Sequence, residues 1–426
     1  MTPIADLSGD DLQALRLKVR ADYDAFRARG LKLDMTRGKP APEQLDLANG
    51  LLAFPGNRDY FTEAGEDARN YGGLQGLPEA RALFSSMLGA PPESIVVADN
   101  SSLAVMHDCI VWALLKGVPG SPAPWSQTPS PAFICPVPGY DRHFAICEEF
   151  GIRMLPVPMT GQGPDMDAVE ALAADPAVKG MWCVPKYSNP SGEVYSDAVA
   201  QRLAAMKTGA PDFRLFWDNA YAVHHLTARR HAIADILALC EKAGHPDRAF
   251  IFASTSKVTI AGGGLAFFAS SPANVRWYLA RAGKRTIGPD KLNQIRHVRF
   301  LKDETGLLRH MDGHRALLAP KFDAVLHALE ARLAGTEAAR WTVPEGGYFI
   351  SVDVVDGTAK AVVALAQAAG LALTPAGATS PHGRDPHDRN LRLAPTFPPL
   401  RDVRDAAEGI AICILLAAIE KRCAAA

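Results

Sequence analysis

What most constrains this chain is a rhythm: seven short apolar runs between Ser94 and Phe268, separated by polar turns and helical stretches. The runs are Ser94–Ala98, Ala132–Cys135, Ile152–Val157, Gly180–Val184, Arg214–Trp217, Ala249–Phe252 and Leu265–Phe268. Runs rich in β-branched and aromatic residues, with helical connections between them, suit strands covered on both faces and paired mostly in parallel. The expected fold class is therefore α/β, a mostly parallel central sheet flanked by helices. Ligands bind such sheets beyond the carboxyl ends of the strands. Attention falls on the polar residues just after the runs: Tyr140, Asn189, Asp218 with Tyr221, and the serines before Lys257.

The rest of the chain frames that sheet. Ser8 is placed to cap a helix to Ala28, because Leu12, Leu15, Val19, Tyr23 and Phe26 recur at spacings of three and four. Pro78-Glu79 opens a helix expected to run through Leu88, and the Pro/Ser-rich stretch from Gly120 to Pro131 reads as an exposed excursion. Beyond Lys302 the pattern changes to longer helices with strands near Tyr348–Val354 and Asn390–Ala394. The expected division is an N-terminal arm and part of a small domain over 1–49, a large domain over 50–302, and a C-terminal small α+β domain over 303–426.

Charge excludes some function classes. Lys plus Arg number 45 and Asp plus Glu 46, with no long run of one sign, which argues against nucleic-acid or membrane-surface partners. The N-terminal residues show neither the basic nor the apolar segment of a secretion signal, and the run Ile410 to Ile419 is too short to span a bilayer. Seven scattered cysteines without a C-x-x-C pair read as reduced thiols in a cytoplasmic chain. His224-His225 and His382 with His387 lack carboxylates or thiolates at ligand spacing, so no metal site is expected.

Lys257 stands in Ser254-Thr255-Ser256-Lys257 with no charged neighbour from Ala249 to Ser271. A desolvated ammonium gives up its proton, and the free amine can condense with a carbonyl; the plain alternative is a strand-end lysine reaching for water. Asp218, directly after an apolar run, is a carboxylate suited to keeping a pyridine nitrogen protonated, with Tyr221 and Asn189 as donors to a phenolic oxygen. A buried Asp-x-x-Tyr and an Asn-Pro turn also arise for structural reasons alone. Ser101 and Ser102 sit where a strand, a turn and a helix present free N–H groups to an anion, although one serine can be simply an N-cap. The loop Thr36-Arg37-Gly38-Lys39-Pro40 offers two cations to an anionic substrate, or only to water.

In this order, Asn189, Asp218, Tyr221 and Ser-x-Ser-Lys resemble the fold-type I pyridoxal-phosphate enzymes, specifically class I aminotransferases, over nearly the whole chain. The resemblance implies that Lys257 forms the internal aldimine with pyridoxal 5'-phosphate and moves the proton between Cα and C4′. It implies that Asp218 pairs with the pyridinium nitrogen, that Asn189 and Tyr221 serve the phenolic oxygen, and that Tyr140 in Pro138-Gly139-Tyr140 stacks on the ring. Ser101, Ser102, Ser254 and Ser256 are left for the phosphate. Tyr71 and Gly76 match a Tyr-x-x-x-x-Gly loop that reaches the neighbouring subunit's phosphate, which implies a homodimer with shared active sites. Arg392, between Leu391 and Leu393, matches the arginine that grips the substrate α-carboxylate, with Arg37, Gly38 and Asn189 beside it.

One departure stands out. The arginine expected about eight residues after the lysine is replaced by Leu265, after Gly262-Gly263-Gly264. With Thr36–Pro40 and Thr286–Asn293, this is similar to a divergent subgroup of bacterial aspartate aminotransferases. The implied reaction is amino transfer from aspartate to 2-oxoglutarate by a ping-pong route. Arg37, Lys39, Arg285 and Lys291 are candidates for the second cation this needs. Without such a cation, an enzyme for aromatic or other neutral amino acids is the alternative; a lyase or decarboxylase on the same fold is another.

Overall fold

The computed structural model describes residues 2–425. Twelve strands lie within that span: β1 (Leu33–Asp34), β2 (Ile95–Val97), β3 (Ala132–Val137), β4 (Arg153–Pro158), β5 (Val178–Cys183), β6 (Arg214–Asp218), β7 (Ala249–Ser254), β8 (Ala266–Ala269), β9 (Ala339–Trp341), β10 (Ile350–Val354), β11 (Leu371–Ala372) and β12 (Asn390–Leu393). Seven of them form the central sheet in the order β2-β8-β7-β6-β5-β3-β4. The pairings from β7 through β4 are parallel, and β8 runs antiparallel to both β2 and β7.

Period-two alternation explains why these strands read as unbroken apolar runs. Phe133, Trp182, Phe216, Phe250 and Phe268 point to one core, while Ile134, Met181, Leu215, Ile251 and Phe267 point to the other, all at most 2% exposed. Neither face meets water, so neither position of the alternation can be polar. The aromatic row crosses the sheet from ring to ring, with centroids 5.4 Å apart from Phe133 to Trp182, 4.9 Å to Phe216, 5.5 Å to Phe250 and 5.2 Å to Phe268. Such pairs tie neighbouring strands into register.

A second core gathers the helices Gly9–Ala28, Ala359–Ala368 and Leu400–Ala425 around the antiparallel trio β12-β10-β9 and the parallel pair β1-β11. The helix Glu304–Leu333 joins the two cores: Leu307 and Met311 pack under the large sheet, whereas Leu318, Phe322, Val325 and Leu329 belong to the second core. The run Ile410 to Ile419 is buried on every side, which explains its continuous apolarity. No helix among the described residues is long and apolar enough to cross a membrane.

Two local expectations need correction. The stretch from Gly120 to Pro131 lies at the surface as expected except at Trp125, which is 0% exposed; its indole N–H donates to Asp212 Oδ2 at 2.8 Å, an acid that also holds Ser121 and Lys179. Proline and serine frequency described the loop but not its buried indole. The helix opened by Pro78 ends at Leu83 and restarts over Ser85–Leu88, because Phe84, fully buried against Phe267, sits outside helical geometry.

Candidate active site

The carboxyl ends of β5, β6 and β7 bring together most of the polar residues singled out in the sequence. Asp218 is the last residue of β6 and is 2% exposed. Its Oδ2 lies 3.1 Å from His143 Nε2, while its Oδ1 is buried with no hydrogen-bond partner. His143 lies flat on Trp182, with ring centroids 4.4 Å apart and 7° between planes, so the imidazole cannot swing away. A buried carboxylate oxygen without a donor is costly, which marks this one as awaiting a partner.

Lys257 follows β7 in a tight turn, where the N–H groups of Val258 and Thr259 donate to Thr255 O at 2.8 and 2.9 Å. Its own carbonyl faces His224 Nε2 at 3.1 Å and accepts from Tyr348 O–H at 3.5 Å. The turn is thus clamped, and Nζ is left 5.4 Å from the Tyr221 ring centroid and 5.7 Å from that of Tyr348. Burial lowers the Lys257 pKa from its ordinary value, with Asp218 pulling the other way. The desolvation inferred from the lysine's uncharged neighbours is therefore present, and it favours a neutral amine.

Two phenols near Asp218 are kept protonated. Tyr140 is pushed up to about 12 by burial first and then by Asp218 and Asp141. Tyr221 is raised well above the ordinary range by burial, with Tyr140 and Asp218 adding to it. Both hydroxyls therefore remain donors across the neutral range.

Arg392 reaches the same group from β12. Its Nη1 donates to Asp141 Oδ1 at 2.8 Å and to Asn189 Oδ1 at 3.4 Å, and its Cζ lies 5.0 Å from the Phe349 ring centroid. Phe349 in turn rests on Gly38: a Cβ there would stand 2.2 Å from the ring's Cζ. Gly38 is thus a close-packing residue behind Arg392, whereas its neighbour Arg37 is exposed, lies 3.9 Å from Asp34, and makes no contact with this group.

At the ends of β7 and β2 the serines converge. Ser254 Oγ donates to Ser256 Oγ at 3.1 Å, and Ser256 Oγ donates to Asn100 O at 3.3 Å. Ser101 caps the helix Ser102–Lys116, accepting from Ala104 N at 3.3 Å, so the cap reading of that serine holds while Ser102 opens the helix. Ser101 follows Asn100 directly, and the bond from Ser256 to the Asn100 carbonyl brings the helix start beside the Ser254–Ser256 turn.

The family description "Aspartate amino-transferase" matches residues 7–425. The chain belongs to that family. An aspartate aminotransferase of Corynebacterium glutamicum is 50% identical over 417 residues, covering 98% of this chain and 96% of the relative. A Mycolicibacterium smegmatis protein with a provisional aminotransferase name is 55% identical over 417 residues, 97% of each chain. The crystal structure of an aspartate transaminase from Corynebacterium glutamicum superposes with a TM-score of 0.97 at 50% identity, over 99% of both chains.

Within this aminotransferase Leu265, standing where an arginine was expected, is a core residue 2% exposed, with its N–H on Thr255 Oγ1 at 2.8 Å. Two of the three glycines before it lie in a short turn at Ala261–Gly263, and the carbonyls of all three accept from the Asn100 and Asn293 side chains. Of the four proposed second cations, Arg285 and Lys291 are ion-paired within the chain, whereas Arg37 and Lys39 are exposed with weaker contacts. Arg37 faces Asp34, Lys39 lies 3.9 Å over the Phe397 ring, Arg285 pairs with Asp99 and Asp108, and Lys291 is buried against Glu66. Tyr71 is 77% exposed and apart from Lys257, although its loop is set firmly: Gly76 has φ +88°, and a Cβ there would meet Val97 at 2.6 Å.

Residues that the sequence reading passed over include His143, Asp141, Tyr348, Phe349 and Gln44. His143 and Asp141 were reachable: they fall in the first turn of the helix Asp141–Glu149 opened by Tyr140, on the strand-end side of the sheet. Gln44 gave no signal, being a lone amide that links Tyr348 O–H at 2.9 Å to His314 at 3.0 Å.

Proposed function

We propose that this aminotransferase moves an amino group from aspartate to 2-oxoglutarate, alternating between the two substrates with pyridoxal 5'-phosphate as its cofactor. The observation that carries it is the unpartnered, buried Oδ1 of Asp218, together with a desolvated Lys257 and two protonated phenols. The residues present fit that cofactor. Asp218 would hold its ring nitrogen protonated and Tyr221 would donate to its phenolic oxygen. Asn189, whose Oδ1 faces Arg392, has its Nδ2 left to donate to the same oxygen. Tyr140 would cover the ring face, and Ser101, Ser102, Ser254 and Ser256 would take the phosphate. When bound, the cofactor supplies an electron sink for charge developing at the substrate Cα.

The chain's own work is then positional and protolytic. Lys257 Nζ would bind the cofactor and, once released, take the proton from the substrate Cα. Arg392 would hold the α-carboxylate in a two-point grip, with Gly38 supporting it through Phe349. We also assign residues 50–302 to the cofactor-binding domain and 1–49 with 303–426 to the smaller one, and we infer a homodimer in which Tyr71 completes the neighbouring site. The exposed Ile287, 68% accessible on a loop whose Gly288 lies against Gly72, adds apolar surface beside Tyr71. Seven free cysteines support a reducing, cytoplasmic setting.

Aspartate as donor is supported by the Corynebacterium glutamicum relative. The ion pairing of Arg285 and Lys291 within the chain favours a second reading, an enzyme for aromatic or other neutral amino acids. A panel of single amino acids added to the cofactor-loaded enzyme separates them, read by loss of the cofactor's visible absorbance. Bleaching by aspartate and glutamate is expected. A response confined to neutral or aromatic amino acids would overturn the aspartate reading.

A further inference from the structure

The guanidinium of Arg392 is held at one end and on one face. Nη1 is occupied by Asp141 and Asn189, and the Phe349 ring lies 5.0 Å from Cζ. Nε is buried with no hydrogen-bond partner. A carboxylate seated on the edge bearing Nε and Nη2 would satisfy that nitrogen and leave Asp141 in place. The arginine side chain is 8% exposed and that of Asp141 36%, so the acid approaches a buried cation from the solvent side. Asp141 also stands in the first turn of its helix, where the free N–H groups favour a carboxylate.

We propose that Asp141 is a positioning residue that sets both the geometry and the strength of substrate carboxylate binding at Arg392. It fixes Nη1, which leaves the Nε–Nη2 edge as the fork. It also offsets the guanidinium charge, because a substrate carboxylate on that fork shares one positive charge with the acid already there. Carboxylates consequently bind more weakly than to an uncompensated arginine, and a product carboxylate leaves sooner. The inference rests on the reading of Arg392 as the α-carboxylate grip.

Three variants of the cofactor-loaded enzyme test it. Asp141→Asn keeps an acceptor for Nη1 and removes the charge; it is expected to tighten binding of the unreactive dicarboxylate succinate and to lower KM, each about tenfold. The gain should shrink in high salt, and kcat should change far less than KM. Asp141→Ala loses the acceptor as well, and its KM should lie above that of Asp141→Asn. Arg392→Lys gauges the underlying reading through an expected rise in KM. If that rise is found while Asp141→Asn leaves succinate affinity unchanged or weaker, the role given to Asp141 is overturned. If Arg392→Lys leaves KM and succinate affinity unchanged, the carboxylate reading itself fails, and this inference with it.

Discussion

Asp218 and His143 lie 3.1 Å apart, carboxylate oxygen to imidazole nitrogen, with side chains 3% and 2% exposed. The pair leaves one buried oxygen of Asp218 without a partner and the other tied back to a ring stacked on Trp182. Removing the carboxylate charge while keeping the shape should abolish the stabilisation of a protonated ring nitrogen. Asp218→Asn is expected to lower kcat by about a thousandfold, in the range for a charged group that stabilises a transition state directly. His143→Phe, which preserves the stacking and loses only the bond to Oδ2, should cost less. Single-turnover absorbance measurements compare the two; equal losses would mean that Asp218 acts no more directly than its support.

Lys257 is expected to be the only residue labelled when the cofactor-loaded enzyme is reduced with borohydride and its peptides are mapped. Lys257→Ala should lose both the label and turnover, because the other desolvated amine near the strand ends, that of Lys186, is tied to a backbone carbonyl. Label on Lys186 instead would be informative: that lysine is also buried, with its pKa lowered to about 8 by desolvation, but its Nζ is tied to Ala222 O at 2.6 Å.

The residues of the site and of the fold differ in how far the sequence revealed them. Asp218, Asn189, Tyr221 and Lys257 could be read because each follows an apolar run, and strand ends are where an α/β sheet presents its chemistry. The same logic recovered the sheet, since two-sided burial favours apolar residues on both faces through the middle of β5, β6 and β7. What escaped was set by contacts between distant segments. Phe349 lies next to Gly38 although 311 positions of chain separate them, and Trp125 is buried by Asp212 in a stretch whose composition reads as surface. The engagement of Lys291 by Glu66 is likewise a tertiary fact that no local pattern records.

Acid should destabilise the fold through its buried histidines. His224 is lowered from 6.5 to about 3, and His297 and His314 to about 4, in each case chiefly by burial. Between pH 6.5 and these values the unfolded chain binds protons that the folded chain refuses, so stability rises with pH across that window and falls as pH drops. At pH 5 each contributes a loss of about 1–2 kcal/mol relative to neutral pH. Urea midpoints at pH 7.5 and pH 5 measure the difference. His297→Gln, which keeps polar contact with Thr259 and the Asn293 carbonyl, should flatten the slope.

Gly38 has no room for a methyl group, since its Cβ would stand 2.2 Å from Phe349 Cζ. Gly38→Ala must therefore push the ring away from the Arg392 guanidinium that it underlies. Overpacking of this kind costs about 1–3 kcal/mol, and the displaced arginine should add a rise in KM out of proportion to any fall in kcat. Thermal midpoints and steady-state kinetics on the same preparation separate the two effects. A stability loss with unchanged KM would detach Gly38 from substrate binding.

Tyr71 supplies the test of a shared active site. It is 77% exposed on a loop held in place by Gly76 packing against Val97 and by Lys291 Nζ, 3.5 Å from its carbonyl. An ordered loop that points an aromatic side chain into solvent suits a residue completed by a second copy. Tyr71→Ala and Lys257→Ala should each be impaired alone, because every site in each homodimer lacks one contribution. Unfolding and refolding an equal mixture makes half of the dimers hybrid. In a hybrid, one site carries both lesions and the other carries neither, so activity should recover to about a quarter of the native value. Recovery no greater than the average of the two variants, with hybrids confirmed by differently tagged chains, would place Tyr71 outside the partner's site.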